Sequence, residues 1–573
     1  MEPSPIDVRP GEALALAIEP SVGAVIVGER GVDRCGDAGA ALAMVEQIER
    51  EAAPRWVWWS PSTARLLVDA GIRPGRCWDL EAVHRLIHGG WRADPGVTWA
   101  GAHDLDTTEL PEMTPVDLFH VRDETTSGAV RSDGHLDPAW VAELWRADVD
   151  HLTRWAELAL DVHRRQTDQL ARLADRPAAA ATARSESAAA LLGVELEHDG
   201  LPLDVDEAER IIATFIGPRP DDAAHERRLA DERDEVVLRH LPVDLRDGLD
   251  LRNPASVKSL LRRAGIEVDD TRAWRLERLR DEHPVVDALL DWRRAERIAT
   301  TFGYRWLDEH VGSDGRLRGS WSSADGAAGR MTATAGLHNL PADLRPAIAA
   351  EPGHVFVRAD LGQIEPRILA AVSGDEALAA ATTDDDMYAP VAHRLGVSRD
   401  VAKVAVLGAM YGQTTGHGAA ARRGLDAAYP VAMQYLSDAA RAAEAGNDLR
   451  TRGGRAVRMS AGRVAAEDER DRRSHAAARG RYGRNAMVQG AAAEFFKTWA
   501  VIVRARLPRG SNIVLCLHDE LLVHAPSADA SLVATTVDDA LRETAHRWLS
   551  LDHRVDVHFV AESSTVRRWS DAT

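Results

Sequence analysis

The sequence contains few lysines and cysteines and no long apolar run. Of its 70 basic residues only three are lysines, at positions 258, 403 and 497. Its three cysteines are far apart and show no paired spacing, which argues against a disulfide framework and against a zinc site. No apolar run is long enough to span a bilayer, and the first residues lack the basic flank and apolar core of a signal peptide. These absences favour a cytosolic protein.

The charge pattern allows contact with nucleic acid only through a local surface. A net charge of −20 argues against a protein that coats nucleic acid, although an acidic chain can still bind it through a basic groove. Between Arg450 and Arg484 the sequence carries eleven arginines and four acidic residues. Phosphate contacts or a solvated surface would explain this excess, and taken alone it favours the surface.

Length and periodicity predict several domains. A chain of 573 residues with 45% hydrophobic composition is expected to form more than one globular domain. Strand-like runs at Ala13–Ile18, Val22–Val27 and Trp56–Trp59 alternate with helical runs, which predicts an N-terminal α/β domain. The alanine-rich stretch at about Arg172–Leu192 predicts a helical connector, with a domain boundary near it.

A carboxylate, Asp360, stands between a predicted strand and a predicted helix. Val355 and Val357 alternate with polar residues before it, and a helix-like apolar run follows at Ile364–Val372. Burying an unpaired carboxylate is costly, so Asp360 needs either a cation or hydrogen bonds. It is therefore a candidate metal ligand or, alternatively, the N-cap of the helix.

A second acidic site follows at residues 511–526. Two short apolar runs flank the triplet His518-Asp519-Glu520, which predicts a hairpin with acidic residues at its tip. If Asp360 and Asp519 meet across neighbouring strands, they can bridge two Mg²⁺ ions, because hard cations prefer oxygen ligands. Such a pair would serve two-metal phosphoryl transfer.

A predicted helix places two cations on one face. Arg399, Lys403, Leu407 and Tyr411 are four residues apart and so share a face. Like charges at this spacing weaken a helix, and an incoming triphosphate would relieve the repulsion. A solvated face is the alternative. Since arginine is used almost everywhere else, the lysine at position 403 suggests an ammonium group that can donate a proton.

A second polar face recurs every four residues. It consists of Arg481, Asn485 and Gln489. Hydrogen-bond donors on one helix face suit the DNA minor groove, where A·T and T·A pairs present the same acceptors. A polar surface stripe is the alternative.

These motifs resemble those of family A DNA polymerases, the DNA polymerase I type. The stretch around Asp360 resembles the family's Asp-Tyr-Ser-Gln-Ile-Glu-Leu-Arg signature. It retains five of these residues, Asp360, Gln363, Ile364, Glu365 and Arg367. It differs at three positions, Leu361, Gly362 and Pro366. Residues 518–520 match the family's His-Asp-Glu signature in full.

The resemblance implies a multidomain α+β protein. Residues 1–170 would form a 3'-5' exonuclease-like domain with an α/β ribonuclease-H-like fold. Residues 185–573 would form a right-hand polymerase domain with an antiparallel palm sheet. Its implied parts are a thumb at about 185–305, a palm at about 306–375 and 490–573, and fingers at about 376–489.

The exonuclease-like domain is expected to be degenerate. Proofreading in the family uses an Asp-x-Glu on the first strand and a later Tyr-x-x-x-Asp. Here the first strand offers Glu19 without the leading aspartate, and Asp161 has Glu157 in place of the tyrosine. We expect a scaffold without nuclease activity, in which Glu19, Asp79 and Asp161 would assemble at most a weak metal site.

The resemblance also assigns roles to residues of the polymerase. The implied catalytic residues are Asp360, Asp519, Lys403 and Glu520, with two Mg²⁺ ions on Asp360 and Asp519, replaceable by Mn²⁺. The implied nucleotide contacts are Arg399, Lys403, Leu407, Tyr411, Gln363, Glu365, Tyr388 and His518. The implied DNA contacts are Arg330, Asn339, Arg481, Asn485 and Gln489. Lys403 would protonate the leaving pyrophosphate, and Glu365 would exclude a ribose 2'-hydroxyl. Leu407 departs from the family's phenylalanine or tyrosine.

We therefore expect a template-directed DNA polymerase that extends a primer 3' end, in repair or gap filling. Its expected partners are primer-template DNA and deoxynucleoside triphosphates. It is expected to act as a monomer in the cytoplasm, at the nucleoid, and no 5'-nuclease region is recognised. A non-catalytic DNA-binding factor on a decayed polymerase scaffold, or chiefly a 3'-5' exonuclease, are the alternatives.

Overall fold

The computed structural model describes most of the chain as two compact units. The described residues are 8–112, 128–142, 148–325, 328–412, 418–459, 469–550 and 555–572. The first unit comprises residues 1–199, 320–332 and 355–565, and the second comprises residues 200–319, 333–354 and 566–573. Within the described residues, every helix is too short or too polar to cross a membrane.

The first unit begins with a mixed five-stranded sheet and helices. The strands are β1 Ala13–Glu19, β2 Gly23–Gly28, β3 Gly31–Cys35, β4 Arg55–Trp58 and β5 Cys77–Asp79. The helices are α1 Ala38–Ala52, α2 Pro61–Asp69, α3 Leu80–His88, α4 Pro95–Ala102, α5 Pro138–Ala142, α6 Val149–Ala171 and α7 Ala179–Asp199. The strand order is β3-β2-β1-β4-β5, in which β1, β4 and β5 are parallel and β2 and β3 antiparallel. The predicted N-terminal strands and the helical connector are confirmed.

The second unit is mainly helical. Its helices are α8 Val205–Ile216, α9 Ala223–Leu238, α10 Pro254–Arg263, α11 Ala273–Glu277, α12 Pro284–Thr301 and α13 Tyr304–His310. A short antiparallel pair is formed by β6 Leu201–Pro202 and β7 Arg316–Leu317. Helix α10 begins as sequence rules predict, because the Asn253 side chain caps it and proline occupies the first turn.

The rest of the chain adds a second sheet and more helices. The strands are β8 Trp321–Ser322, β9 Thr332–Ala333, β10 His354–Leu361, β11 Leu449–Arg450, β12 Ala456–Val457, β13 Asn512–Leu517, β14 Glu520–Pro526 and β15 Ala561–Val566. The helices are α14 Ile364–Ser373, α15 Glu376–Ala381, α16 Tyr388–Leu395, α17 Arg399–Tyr411, α18 Gly418–Ala428, α19 Pro430–Glu444, α20 Glu469–Arg506 and α21 Ala530–Leu549. Four strands form one sheet in the order β13-β14-β10-β15.

One face of this second sheet is buried in the hydrophobic core, and the other face carries charged side chains. Val357, Ala359 and Leu361 of β10 belong to the hydrophobic core of the first unit. Side chains alternate along a strand, so Arg358 and Asp360 point to the opposite face. The sequence pattern of β10 therefore decides which face carries the charged groups.

Candidate active site

Asp360 stands near the end of β10 and does not cap the following helix. The residue that precedes α14 is Gln363, in the left-handed region at φ 54°, and its side chain makes no capping hydrogen bond. The N-cap interpretation of Asp360 is therefore wrong. A non-glycine residue in this backbone region is strained, and such strain is common next to functional groups. The tight turn directs the chain away from the strand end and leaves the Asp360 carboxyl group half-buried.

The predicted hairpin is confirmed, with one correction. Strands β13 and β14 are antiparallel, and Leu517 pairs with Glu520. The turn therefore consists of His518, at φ 54°, and Asp519, while Glu520 lies in the strand and is buried. The backbone N–H of Leu361 donates to the carbonyl of Asp519 at 3.0 Å. This bond joins the end of β10 to the hairpin tip beside Asp360.

The carboxyl groups at this junction share negative charge in a partly buried place. Burial, together with the nearby charge of Asp360, raises the pKa of Asp519 to about 7. Burial also raises the pKa of Asp360, where the charges of Glu520 and Glu562 act in the same direction and Arg358 opposes them. A divalent cation would stabilise the ionised form of both aspartates, and the donors are all oxygens. The residues present therefore fit a Mg²⁺ site.

A cavity of about 310 Å³ lies beside this junction. Nine of the predicted site residues line it, namely Arg330, Gln363, Glu365, Tyr388, Arg399, Lys403, Leu407, His518 and Asp519. The remaining lining residues are Ile364, Pro366, Ala492, Ala493 and Phe496. The wall thus combines three cationic side chains and two carboxylates with an apolar surface, which suits an anionic ligand that carries a cation and has an apolar part.

Glu365 is fixed in the cavity wall by hydrogen bonds to both of its oxygens. The Arg330 guanidinium donates to Oε1 at 2.6 Å, and the Tyr411 hydroxyl donates to Oε2 at 3.0 Å. Gln489 in turn forms a side-chain hydrogen bond with Tyr411. Residues from three other segments therefore hold the Glu365 carboxylate in a defined orientation, Arg330 and Tyr411 directly and Gln489 through Tyr411.

Arg399 and Lys403 differ in their surroundings although both line the cavity. The Arg399 guanidinium donates to Asp386 Oδ2 at 2.5 Å and to Oδ1 at 3.2 Å, and it also lies over the Tyr388 ring. Gln363 donates to the same Asp386 carboxylate at 2.9 Å. The Lys403 side chain is exposed. The predicted shared face of α17 is confirmed for Arg399, Lys403 and Leu407 by their place in the cavity wall.

The predicted DNA contacts are distributed over both units. On α20, Arg481 is exposed, whereas Asn485 and Gln489 are half-buried. The Oδ1 atom of Asn485 is buried and has no hydrogen-bond partner among the described residues. Asn339 belongs to the second unit, where its backbone carbonyl accepts a hydrogen bond from Arg297 at 2.6 Å. The assigned DNA-binding roles stay predictions.

Part of the arginine-rich region has an internal role, which the charge count did not reveal. Arg455 is 3% exposed and pairs with the buried Glu186 at 2.6 Å. Arg484 donates to the backbone carbonyl of Ala409 at 3.0 Å. Lys497, one of the three lysines, is also buried against Glu186. Three residues counted in this region, Arg463, Glu467 and Asp468, lie outside the described residues.

The predicted weak metal site of the N-terminal sheet is wrong. Asp79 is fully buried, and its two oxygens accept hydrogen bonds from Trp58 Nε1 at 2.9 Å and from the N–H of Ala82 at 2.8 Å. Asp161 accepts from His103 at 3.0 Å. These carboxylates and Glu19 form no metal-ligating group within the described residues. Internal donors already bind Asp79 and Asp161, so these two carboxylates have no need of a cation.

One charged residue of the site was missed by sequence reasoning. Arg358 donates through Nη2 to Asp360 at 2.7 Å and to Glu520 at 3.1 Å. The two-residue spacing of Arg358 and Asp360 on a predicted strand is the signal that places both on one face. The small and aromatic lining residues Ala492, Ala493 and Phe496 carried no such signal.

Comparison with known proteins agrees with this geometry. Residues 256–571 match the family model described as DNA polymerase family A. DNA polymerase I of Chloroflexus aurantiacus is 31% identical over 298 residues, which cover 46% of this chain and 31% of that protein. The thermostable DNA polymerase I of Thermus aquaticus is 28% identical over 297 residues, covering 47% of this chain and 35% of that protein. The chain thus spans about a third of the length of these curated relatives.

A solved structure shows the same fold over almost the whole chain. It is described as the POL domain of Pol1 from M. smegmatis in complex with DNA primer-template and dNTP. The TM-score is 0.67 at 20% sequence identity, and the match covers 99% of this chain and 97% of that one. Because the family match spans more than half of the sequence and includes both aspartates and every residue that lines the cavity, the chain belongs to DNA polymerase family A.

Proposed function

We propose that this chain is a template-directed DNA polymerase that adds deoxynucleotides to a primer 3' end by phosphoryl transfer. The observation that carries the proposal is the junction of Asp360 and Asp519 beside a cavity whose wall contains Arg399 and Lys403. Phosphoryl transfer needs carboxylates that hold metal ions and cations that hold the transferred phosphates. The proposed substrates are primer-template DNA and deoxynucleoside triphosphates.

Asp360 and Asp519 would hold two Mg²⁺ ions. When bound, these ions would supply Lewis-acid activation of the primer hydroxyl and compensate the charge of the leaving pyrophosphate. Asp360 stands on β10 and Asp519 in the turn between β13 and β14, and the hydrogen bond from Leu361 to the Asp519 carbonyl ties the turn to the strand end, so the sheet fixes the spacing of the two aspartates. Glu520 is held by Arg358 and is a supporting carboxylate in this proposal.

The nucleotide would lie along the cavity face of α17. Arg399 and Lys403 would bind its phosphates, and Lys403 would donate a proton to the pyrophosphate, since an ammonium group can do so and a guanidinium cannot readily. Arg399 already holds Asp386, so triphosphate binding would have to share or replace this partner. Gln363, Tyr388, Leu407, Tyr411 and His518 complete the proposed nucleotide contacts.

Glu365 would select the sugar. Its carboxylate is held at both oxygens by Arg330 and Tyr411, so it cannot swing away from a ribose 2'-hydroxyl without losing two hydrogen bonds. Arg330 would in addition contact the primer terminus. Arg481, Asn485, Gln489 and Asn339 are the proposed contacts to the DNA duplex, with minor-groove acceptors as their partners.

The proposed domain organisation follows the family. Residues 1–170 would be an exonuclease-like domain without nuclease activity, and residues 185–573 the polymerase, with thumb, palm and fingers as expected from the sequence. The mixed order of the N-terminal sheet supports the first assignment, and the internal hydrogen bonds of Asp79 and Asp161 support the loss of activity. A monomer that acts on DNA at the nucleoid is proposed.

Primer extension tests the function. A 5'-labelled primer annealed to a longer template is incubated with Mg²⁺, with and without deoxynucleotides, and the products are resolved to single nucleotides. We expect extension with nucleotides and an unshortened primer without them, and no extension by Asp519→Asn prepared in parallel. Shortening without nucleotides would mean an active exonuclease, and an unchanged primer in both lanes would favour a non-catalytic DNA-binding protein.

A further inference from the structure

Arg358 forms a charged bridge between two carboxylates of the proposed active site. Its Nη2 atom donates to Asp360 Oδ2 at 2.7 Å and to Glu520 Oε2 at 3.1 Å. The Arg358 side chain is 14% exposed, and that of Glu520 is 7% exposed. Interactions between charges in such a place are only weakly screened by solvent. The electrostatic attraction between Arg358 and these two carboxylates is therefore strong.

The same guanidinium is outnumbered by carboxylates. Asp360, Asp519, Glu520 and Glu562 all lie within electrostatic reach of one another or of Arg358. Arg358 offsets part of this negative charge and occupies one oxygen of Asp360, leaving Oδ1 of that residue outside the bridge. A divalent cation that binds Asp360 would find a positive charge next to it, and like charges at this range repel.

We propose that Arg358 is a counter-ion that keeps the affinity of Asp360 and Asp519 for divalent metal low until a nucleotide is bound. The inference rests on the proposed function. A triphosphate brings negative charge into the cavity, which offsets the guanidinium and makes metal binding favourable again. Metal occupancy thus becomes linked to nucleotide occupancy, and Arg358 acts as a positioning residue that reaches the reaction only through Asp360 and Glu520.

Metal titration without nucleotide tests the proposal. The full chain is titrated with Mn²⁺ and free Mn²⁺ is followed by electron paramagnetic resonance, for the native protein, Arg358→Gln and Arg358→Lys. Mutating the hydrogen-bonding partners of metal ligands typically lowers affinity by about 10- to 100-fold, whereas Arg358 carries the same sign of charge as the metal ion, so its removal should act in the opposite direction. We expect Arg358→Gln to bind Mn²⁺ about tenfold more tightly than the native protein, at the lower end of that range. Arg358→Lys keeps the charge and is expected to resemble the native protein.

Two controls locate the effect. Arg542→Gln removes one positive charge from an exposed residue of α21 that is paired with Asp539, and it should leave Mn²⁺ affinity unchanged. Adding Asp360→Asn to Arg358→Gln should abolish the gain if the gain arises at this site. If Arg358→Gln does not fold, Arg358→Met removes the same charge while keeping the apolar part of the side chain, and it serves in its place.

The outcomes separate this inference from the proposed function. Unchanged or weaker Mn²⁺ binding by Arg358→Gln, or an equal gain in Arg358→Lys, would overturn the counter-ion role. A native protein that fails to extend a primer would reject the polymerase proposal, yet the titration would still report whether Arg358 controls metal affinity.

Discussion

Two groups of carboxylates in the first unit look alike in the sequence and differ in the structure. Burial raises the pKa of Asp79 in the N-terminal region to about 7, and burial together with Asp360 raises that of Asp519 to about the same value. Asp79, however, has a hydrogen bond to each oxygen, from Trp58 and from Ala82. Asp519 faces the negative charge of Asp360 instead.

The difference shows that a raised pKa by itself does not identify a functional carboxylate. Asp79 caps α3 and belongs to the packing of the sheet, so its perturbed titration is a consequence of burial. Asp360 and Asp519 are brought together by the sheet, and a cation would relieve their mutual repulsion. The partner of a buried acid, and not its burial, distinguishes a structural carboxylate from a candidate metal ligand.

The largest expected effect comes from neutralising the site aspartates. Asp360→Asn or Asp519→Asn should lower single-nucleotide incorporation by about 10³-fold or more, because each would remove a metal ligand whose ion contributes several kcal/mol to transition-state stabilisation. Glu19→Gln, in the N-terminal sheet, should leave incorporation unchanged. Single-turnover incorporation measures both, and a binding assay on primer-template should show that DNA binding survives in all three variants. Substantial synthesis by either aspartate variant would contradict the assignment of that aspartate as a metal ligand and would leave it no different from the N-terminal carboxylates.

Asp79→Ala should show the opposite pattern. It removes the N-cap of α3 and leaves the Trp58 indole N–H without its acceptor, so the free energy of unfolding should fall by about 1 to 3 kcal/mol. Chemical denaturation measures this loss. Incorporation per folded molecule should equal that of the native protein, and a specific loss of activity at native stability would mean that the N-terminal carboxylates contribute to function.

The pH dependence of thermal stability should also distinguish Asp519 from Asp79, although the expected effect is smaller. Because the pKa of Asp519 is raised to about 7, the folded state binds this proton more tightly than the unfolded state, and the metal-free protein loses stability as pH rises from about 4 to about 7. Mg²⁺ binds the ionised form, so its stabilising effect should be larger near pH 8 than near pH 6, by about two degrees in apparent Tm.

Thermal melts with Mg²⁺ and with a chelator at both pH values check this prediction. The pKa of Asp79 is raised as well, so Asp79 also makes the stability depend on pH. Its contribution to Tm is the same with Mg²⁺ and with the chelator, and it therefore cancels when the two melts are subtracted. Asp519→Asn should remove the pH dependence of the Mg²⁺ effect. A Mg²⁺ effect that is the same at both pH values in the native protein would contradict the assignment of Asp519 as a ligand.

The sequence predicts the site elements because their patterns are local. The alternation before Asp360 predicts β10, the triplet at residues 518–520 predicts the hairpin, and the four-residue spacing from Arg399 predicts the shared face of α17. What it cannot predict depends on contacts between distant segments. The hydrogen bond from Trp58 to Asp79 and the pairing of Arg455 with Glu186 join residues of separate segments, and neither composition nor periodicity reports them.

Arg358 combines a feature that the sequence predicts with one that it does not. Its position on the face of Asp360 follows from strand alternation, but its bridge to Glu520 requires β14 to lie beside β10. A lone arginine in a half-buried strand carries no signal of that pairing. The sequence therefore predicts which residues share a face and leaves open which of them are partners.

Glu365 provides the most sensitive comparison, because it lies in the candidate active site yet is satisfied by internal donors as Asp79 is. Tyr411→Phe removes the hydroxyl that donates to Glu365 Oε2 while Arg330 still holds Oε1. A single hydrogen bond of this kind is worth about 1 kcal/mol, so preference for deoxynucleotides over ribonucleotides should fall by about fivefold. Competition between the two nucleotides in single-turnover incorporation measures the ratio. Val404→Ala, at an exposed residue of the same helix outside the cavity wall, is the control and should preserve the ratio. An unchanged ratio in Tyr411→Phe would mean that Arg330 alone fixes the carboxylate, and that Glu365 resembles Asp79 less than its hydrogen bonds indicate.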